Sequence, residues 1–277
     1  MMIASETVLR ELLAFYQEAG VDAAVGEVPV DHLALQESPE AAAATPEPPP
    51  PRPPAKPVRT LTPRDLATGA HTAPPPPDTA VMAAREAART AADLDALRAI
   101  VERFEGCARR ATATQLVFGR GNPRSRVMFV GEAPGYEEDK SGKPFVGRSG
   151  HLLDAMMAAI GLDETNAYIA NIVPWRPPGN RTPTPQESAI CLPFIKRQIE
   201  LADPDILVCL GGPSAQTLLN IKDGITKSRG RWYPFQTGTR DIRALATFHP
   251  AFLLRSPLQK RLAWRDFLAL KKALAQK

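Results

Sequence analysis

Four short clusters carry side chains able to do chemistry: GEAPGYEED (131–139), Asn171 running into PWRPPGNR (174–181), GG (211–212) and FHP (248–250). An asparagine amide sets a donor beside an acceptor, so Asn171 can pair with the edge of an amide-like heterocycle. Phe145, in KPFVG, suits stacking on a flat ring. His249 can donate a hydrogen bond to an oxygen that gains negative charge. Glu132, Glu138 and Asp139 are acids able to position water or favour a cationic sugar. Arg148, Arg176, Arg181 and Arg255 stand in the same loops and can hold phosphates. Taken singly, each cluster has an ordinary reading, because Gly and Pro after a strand are common turn residues. Taken together they form a ring slot, an amide reader, an anion stabiliser and a phosphate rim. That set suits a nucleobase attached to a nucleic acid.

These clusters meet only if each ends a strand of one sheet. RVMFVGEAPG (126–135), AYIANIVPW (167–175), DILVCLGG (205–212) and RALATFHP (243–250) read as apolar strands that run into them. Helical patterns lie between and around them: 90–107, 149–162 closed by Gly161, 184–204, a helix opening at 213, and 258–275. Thr184, Pro185 and Glu187 form a capping-box start. Strands alternating with helices predict a parallel sheet covered on both faces. Functional loops of such sheets gather at the C-terminal strand ends. The expected class is therefore α/β, three layers α/β/α around a central, mainly parallel four-stranded sheet.

Of 277 residues, 29 are proline, and most of these crowd the first third of the chain. Val8, Leu12, Leu13 and Phe15 predict an amphipathic helix over 1–20. Residues 37–84 are rich in Pro and Ala and poor in large apolar side chains, which predicts a disordered linker. A PxxP ligand is the lesser reading of that stretch and a spacer the greater. The folded domain is expected over 85–277. No apolar run reaches the roughly 20 residues of a membrane span, and the N-terminus lacks the pattern of a signal peptide. Three cysteines make no disulfide framework, which favours a reducing cytoplasm. The net charge of +4 permits a polyanionic partner without establishing one.

GEAPGYEEDKSGKPFVGRSG, YIANIVPWRPPGNRTPTPQE and FHPAFLLRSP, in that order, resemble the uracil-DNA glycosylase superfamily, and within it the iron–sulfur (family 4) branch. The resemblance spans roughly 95–275. It implies that Gly131, Glu132, Ala133, Pro134 and Gly135 form the first catalytic loop, with Glu138 behind it. It implies that Phe145 stacks on a flipped uracil, Asn171 reads its edge, His249 contacts its O2 and Asn180 helps at the sugar. Phe252, Leu253, Leu254 and Arg255 would press into the duplex; Arg148, Arg176 and Arg181 are expected to hold DNA from their place in the loops alone. Where another branch of the superfamily has a water-activating Asp, this chain has Ala133, as family 4 does.

The resemblance also implies an iron–sulfur cluster on four cysteines, and here the chain departs from it. Phe104 and Cys107 occupy the first pair of positions, Trp175 the third and Cys191 the fourth. Cys107 and Cys191 are the only matching ligands, and Phe and Trp cannot ligate iron. The expectation is no metal and no cofactor, with the bulky replacements filling the cluster's volume. Cys209 reads as core.

The implied activity is monofunctional: base flipping, hydrolysis of the N-glycosidic bond of deoxyuridine in DNA, and release of uracil, leaving an abasic site. No lysine in the motifs is placed to form a Schiff base. Tyr136 is a candidate wall against the thymine methyl. The rival readings are a non-catalytic or weakly catalytic binder of uracil or abasic DNA, and a glycosylase for hypoxanthine or xanthine. The expected partner is uracil-containing DNA, met by a monomer away from membranes, with a further protein docking on the N-terminal helix.

Overall fold

The computed structural model describes residues 77–276, apart from 108, 109 and 111. The helix expected over 1–20 and the linker from 37 to 76 lie outside the described residues. Two helices come first, α1 (Pro77–Thr90) and α2 (Leu94–Arg103). Strands β1 (Arg120–Gly121) and β2 (Val127–Gly131) follow, then α3 (Tyr136–Ser141), α4 (Arg148–Ala158) and β3 (Tyr168–Asn171). Next are α5 (Pro185–Ala202), β4 (Ile206–Leu210), α6 (Gly212–Leu219) and α7 (Ile225–Ser228). The hairpin β5 (Trp232–Gln236) and β6 (Asp241–Thr247) leads to α8 (Pro250–Arg255) and α9 (Lys260–Ala275).

The sheet order is β1-β3-β2-β4-β6-β5. β2, β3, β4 and β6 are the four parallel strands expected from the sequence. The sheet has six strands rather than four, because β1 and β5 add antiparallel edges. β1 is only two residues long, and Pro234 interrupts the aromatic run of β5, of which only Phe235 is buried, as suits edge strands.

Period-two alternation divides the core. Val127 and Phe129 face α4 and α9, where Leu153, Met157, Phe267 and Leu270 are buried. Met128 and Val130 face the other layer, with Leu97, Ile190, Ile195 and Ala215. Each strand of a parallel sheet is covered on both faces, which is why these runs are apolar throughout. Thr184 caps α5 as expected: its Oγ1 accepts the Glu187 N–H at 3.2 Å, and Glu187 accepts the Thr184 N–H at 2.8 Å.

The linker boundary at 84 needs correction. Residues 77–84 are helical, and the folded domain begins by 77 rather than 85. Ala80, Ala84 and Ala88 recur every four residues and are 3% exposed or less, packed against α5. Small side chains let two helix axes approach closely. A search for large apolar residues misses such a stripe. Arg197 of α5 completes the contact by donating two hydrogen bonds to the Ala91 carbonyl, at 2.7 and 3.2 Å. Replacing Ala84 by Leu should overfill this contact and lower stability by about 1–3 kcal/mol. Urea unfolding checks this, and an unchanged midpoint would mean that α1 is not closely packed.

Candidate active site

The parallel strands end side by side. Gly131 is the register partner of Asn171, and Leu210 that of Thr247. The ladder runs past the strands: Ile172 and Val173 donate to the carbonyls of Gly131 and Glu132, each at 3.0 Å. The loops leaving these ends enclose a cavity of about 480 Å³. Its walls bring together Glu132, Ala133, Pro134, Gly135, Glu138, Phe145, Asn171, Asn180, Arg181, His249, Phe252 and Arg255.

Asn171 is 4% exposed, and its Oδ1 has no hydrogen-bond partner among the described residues. An unpaired buried acceptor costs about 1–3 kcal/mol, so such an atom at a cavity wall is poised for a ligand donor. A Cβ on Gly131 would lie 2.5 Å from that oxygen and 2.6 Å from Cζ of Phe145. The glycine therefore makes the room in which amide and ring meet. Phe145 is 3% exposed and sits at φ 56°, a left-handed conformation that is costly for a bulky residue. Its ring centroid lies 5.4 Å from that of His249, with the planes 31° apart.

Glu138 holds this loop in shape. Its Oε1 accepts from Val146 N (3.0 Å) and Gly147 N (2.9 Å), and its Oε2 accepts from Gly135 N (3.0 Å). Both oxygens are engaged by backbone, so the geometry gives Glu138 a loop-tying place, not the water-positioning one expected. Asp139 is likewise engaged, by Thr114 and Gln115. Glu132 differs from both. It is partly buried, its carboxylate makes no hydrogen bond among the described residues, and burial raises its pKa above the ordinary value.

His249 caps α8, its Nδ1 accepting from Ala251 N at 3.1 Å. That bond places the remaining ring proton on Nε2. Burial of the ring, helped by the Arg255 guanidinium, lowers its pKa from 6.5 to about 4. Gly211, at φ 93°, brings the end of β4 close: a Cβ there would sit 3.0 Å from Cβ of His249.

Several expected contacts move. Leu253 is fully buried against Phe248 and Ala263, so it supports α8 from inside and cannot press into a duplex. Phe252, Leu254 and Arg255 retain exposure on the outer side. Arg181 grips Glu187 in a bidentate pair (2.7 and 2.9 Å) that braces the start of α5. Arg148 is exposed and lies outside the cavity wall. Tyr136 is 54% exposed under the Arg176 guanidinium and is not a wall of the cavity. Ile225 and Phe248 line the cavity without having been marked in the sequence, since neither carries a chemical signature.

The positions matching the family's cluster ligands lie in one apolar cluster. Cys107, Trp175 and Cys191 are 2% exposed or less, and Phe104 packs at its margin against Phe194, with centroids 4.9 Å apart. The two sulfurs are 4.0 Å apart. The Cys107 contact and then burial push the Cys191 thiol well above its ordinary pKa. Two cysteines, with Phe104 and Trp175 at the other two positions, do not fit an iron–sulfur cluster, which is held by four thiolates. No group of three His, Cys, Asp or Glu able to hold a metal occurs among the described residues. Cys209 is buried in β4, its thiol pushed up to about 12 by burial.

Comparison with known proteins bears on the same residues. A family profile described as the uracil DNA glycosylase superfamily matches residues 118–268. The chain belongs to this superfamily. It is similar to a type-4 uracil-DNA glycosylase of Thermotoga maritima, 43% identical over 157 residues, which are 56% of this chain and 80% of the relative. A type-4 uracil-DNA glycosylase of Archaeoglobus fulgidus is 38% identical over 181 residues, 63% of this chain and 91% of the relative. One of Sulfurisphaera tokodaii is 38% identical over 182 residues, 63% of this chain and 83% of the relative.

The lowered pKa keeps His249 neutral from alkaline pH down to about pH 5 and charges it only as pH falls through about 4. Nitrogen-detected NMR of the imidazoles should show this midpoint. A midpoint near 6.5 would mean that the ring is solvated and does not hold the cap.

Proposed function

We infer that the protein is a monofunctional uracil-DNA glycosylase, hydrolysing the N-glycosidic bond of deoxyuridine in DNA to release uracil and leave an abasic site. The observation that carries this reading is the unpartnered amide oxygen of Asn171 beside the Phe145 ring at the cavity wall. Uracil offers that pair its N3–H for the oxygen, its O4 for the amide NH2 and a flat face for the ring. A base can enter such a pocket only after leaving the duplex stack.

In this mechanism the C1′–N1 bond breaks first, and its electron pair stays with the base. His249, neutral and with its proton on Nε2, donates to O2 as that oxygen becomes negative. A neutral donor gains most where charge develops. The sugar becomes oxocarbenium-like. Glu132, the wall carboxylate without a partner among the described residues, stands ready to orient the water that attacks C1′. Arg255, exposed, and Phe252 and Leu254, half-buried, are the residues beside the cavity that would meet the duplex. Action as a monomer belongs to the same reading. No helix among the described residues is long and apolar enough to cross a membrane. A reducing cytoplasm, in which the buried Cys107 and Cys191 sulfurs 4.0 Å apart stay as thiols, belongs to the same reading. The docking of a further protein on residues 1–20 remains part of the same reading.

We also propose that the protein works without an iron–sulfur cluster, the apolar plug around Trp175 standing in its place. Iron and acid-labile sulfide in anaerobically purified protein should then be far below one cluster per chain, and stoichiometric amounts of both would overturn the proposal. For the base reader, Asn171→Ala should slow single-turnover excision by roughly a thousandfold or more. Binding to undamaged DNA should change little, because phosphate contacts are separate from base contacts. Near-native excision by the variant would remove Asn171 from the pocket.

A further inference from the structure

Arg176 was expected to hold DNA, yet its half-buried guanidinium is engaged by side chains of the protein itself. Its Nε donates to Oδ1 of Asn180 at 2.7 Å. One terminal nitrogen stands 3.9 Å from Oδ2 of the buried Asp139, and the plane lies over the Tyr136 ring, 5.0 Å from its centroid. Behind it, Trp175 is buried in the apolar plug. The arginine thus joins three things: the plug, the α3 segment after the first loop, and the turn that carries Asn180.

Asn180 lines the cavity and is exposed. It sits at φ 55° after Gly179 at φ 63°, so its place on the wall is set by an unusual turn. A terminal amide otherwise turns over readily, because its oxygen and nitrogen are nearly the same size and the last torsion is roughly two-fold. A guanidinium can only donate. Arg176 therefore binds the oxygen and leaves the NH2 for the cavity.

We propose that Arg176 is a positioning residue for the glycosylase reaction: it fixes the Asn180 amide with its NH2 toward the substrate's sugar–phosphate side. The proposal rests on the glycosylase reading above and names a residue that acts through another. Lysine cannot replace it, since an ammonium has neither the planar Nε–H nor the stacking face. A phosphate contact would tolerate lysine far better.

The test uses full-length protein and single-turnover excision from uracil-containing DNA. Wild-type uracil release is measured first, and its absence would defeat the glycosylase reading rather than this one. With release established, Arg176→Lys and Arg176→Ala should both slow excision by about 10- to 100-fold. In an Asn180→Ala background, adding Arg176→Ala should slow excision little further, because the residue it positions is already gone. The salt dependence of binding to undamaged DNA should keep its slope in every variant. Three results would overturn the proposal: full activity in Arg176→Lys, independent losses in the double variant, or a salt slope reduced by about one. The first and third would return Arg176 to the phosphate rim.

Discussion

The site depends on a side chain that is missing. Gly131 ends β2 directly beside Asn171 on β3, and parallel register partners direct their side chains to the same face of a sheet. The space that a Cβ would fill at 131 is shared by the Asn171 amide oxygen and the edge of the Phe145 ring. Any larger residue would part them. Phe145 in turn holds a left-handed backbone worth about 1–3 kcal/mol of strain. That strain is met by Glu138, whose carboxylate gathers the next two N–H groups together with that of Gly135. One buried acid therefore closes two loops around the place that the glycine opens.

Much of this was legible in the chain. Apolar runs ending in Gly, Asn or His located the four parallel strands, and the Thr184 box located α5. Alternation of strand and helix put their ends together. What escaped had physical causes. Edge strands β1 and β5 bury too little to show a pattern. α1 packs through alanines, which look alike in a linker and in a close helix contact. Leu253 and Phe252 are neighbours of the same chemical kind, and only the turn of α8 sends one inward and the other out. Glu132 in the first loop and Glu138 in the first turn of α3 are acids six residues apart. What separates them is which oxygens the backbone reaches, and that is a matter of loop geometry that residue spacing does not encode.

The plug shows how one junction can be built by two kinds of force. Three segments meet there: the stretch after α2 carrying Cys107, the loop after β3 carrying Trp175, and α5 carrying Cys191. Thiolate–iron bonds would join such segments through a few directional links. Apolar contact joins them through many weak ones, at about 1.5–3 kcal/mol for each large side chain fully buried. Directional links demand four correct ligands at once. Packing degrades gradually, so it tolerates Phe104 lying at the margin of the cluster.

His249 ties chemistry to architecture more tightly than its neighbours do. The ring nitrogen that faces inward is the cap of α8, and the cap holds the helix that carries Leu253 into the core and Phe252 to the outer side. A residue chosen only to end the helix, such as Ser or Asp, would keep the fold and lose the ring donor. A residue chosen only for its donor would loosen the helix. Few amino acids satisfy both demands, so drift at this position is narrow from two directions. Variants of the chain that change base preference are therefore expected to vary other walls of the cavity and to leave position 249 untouched.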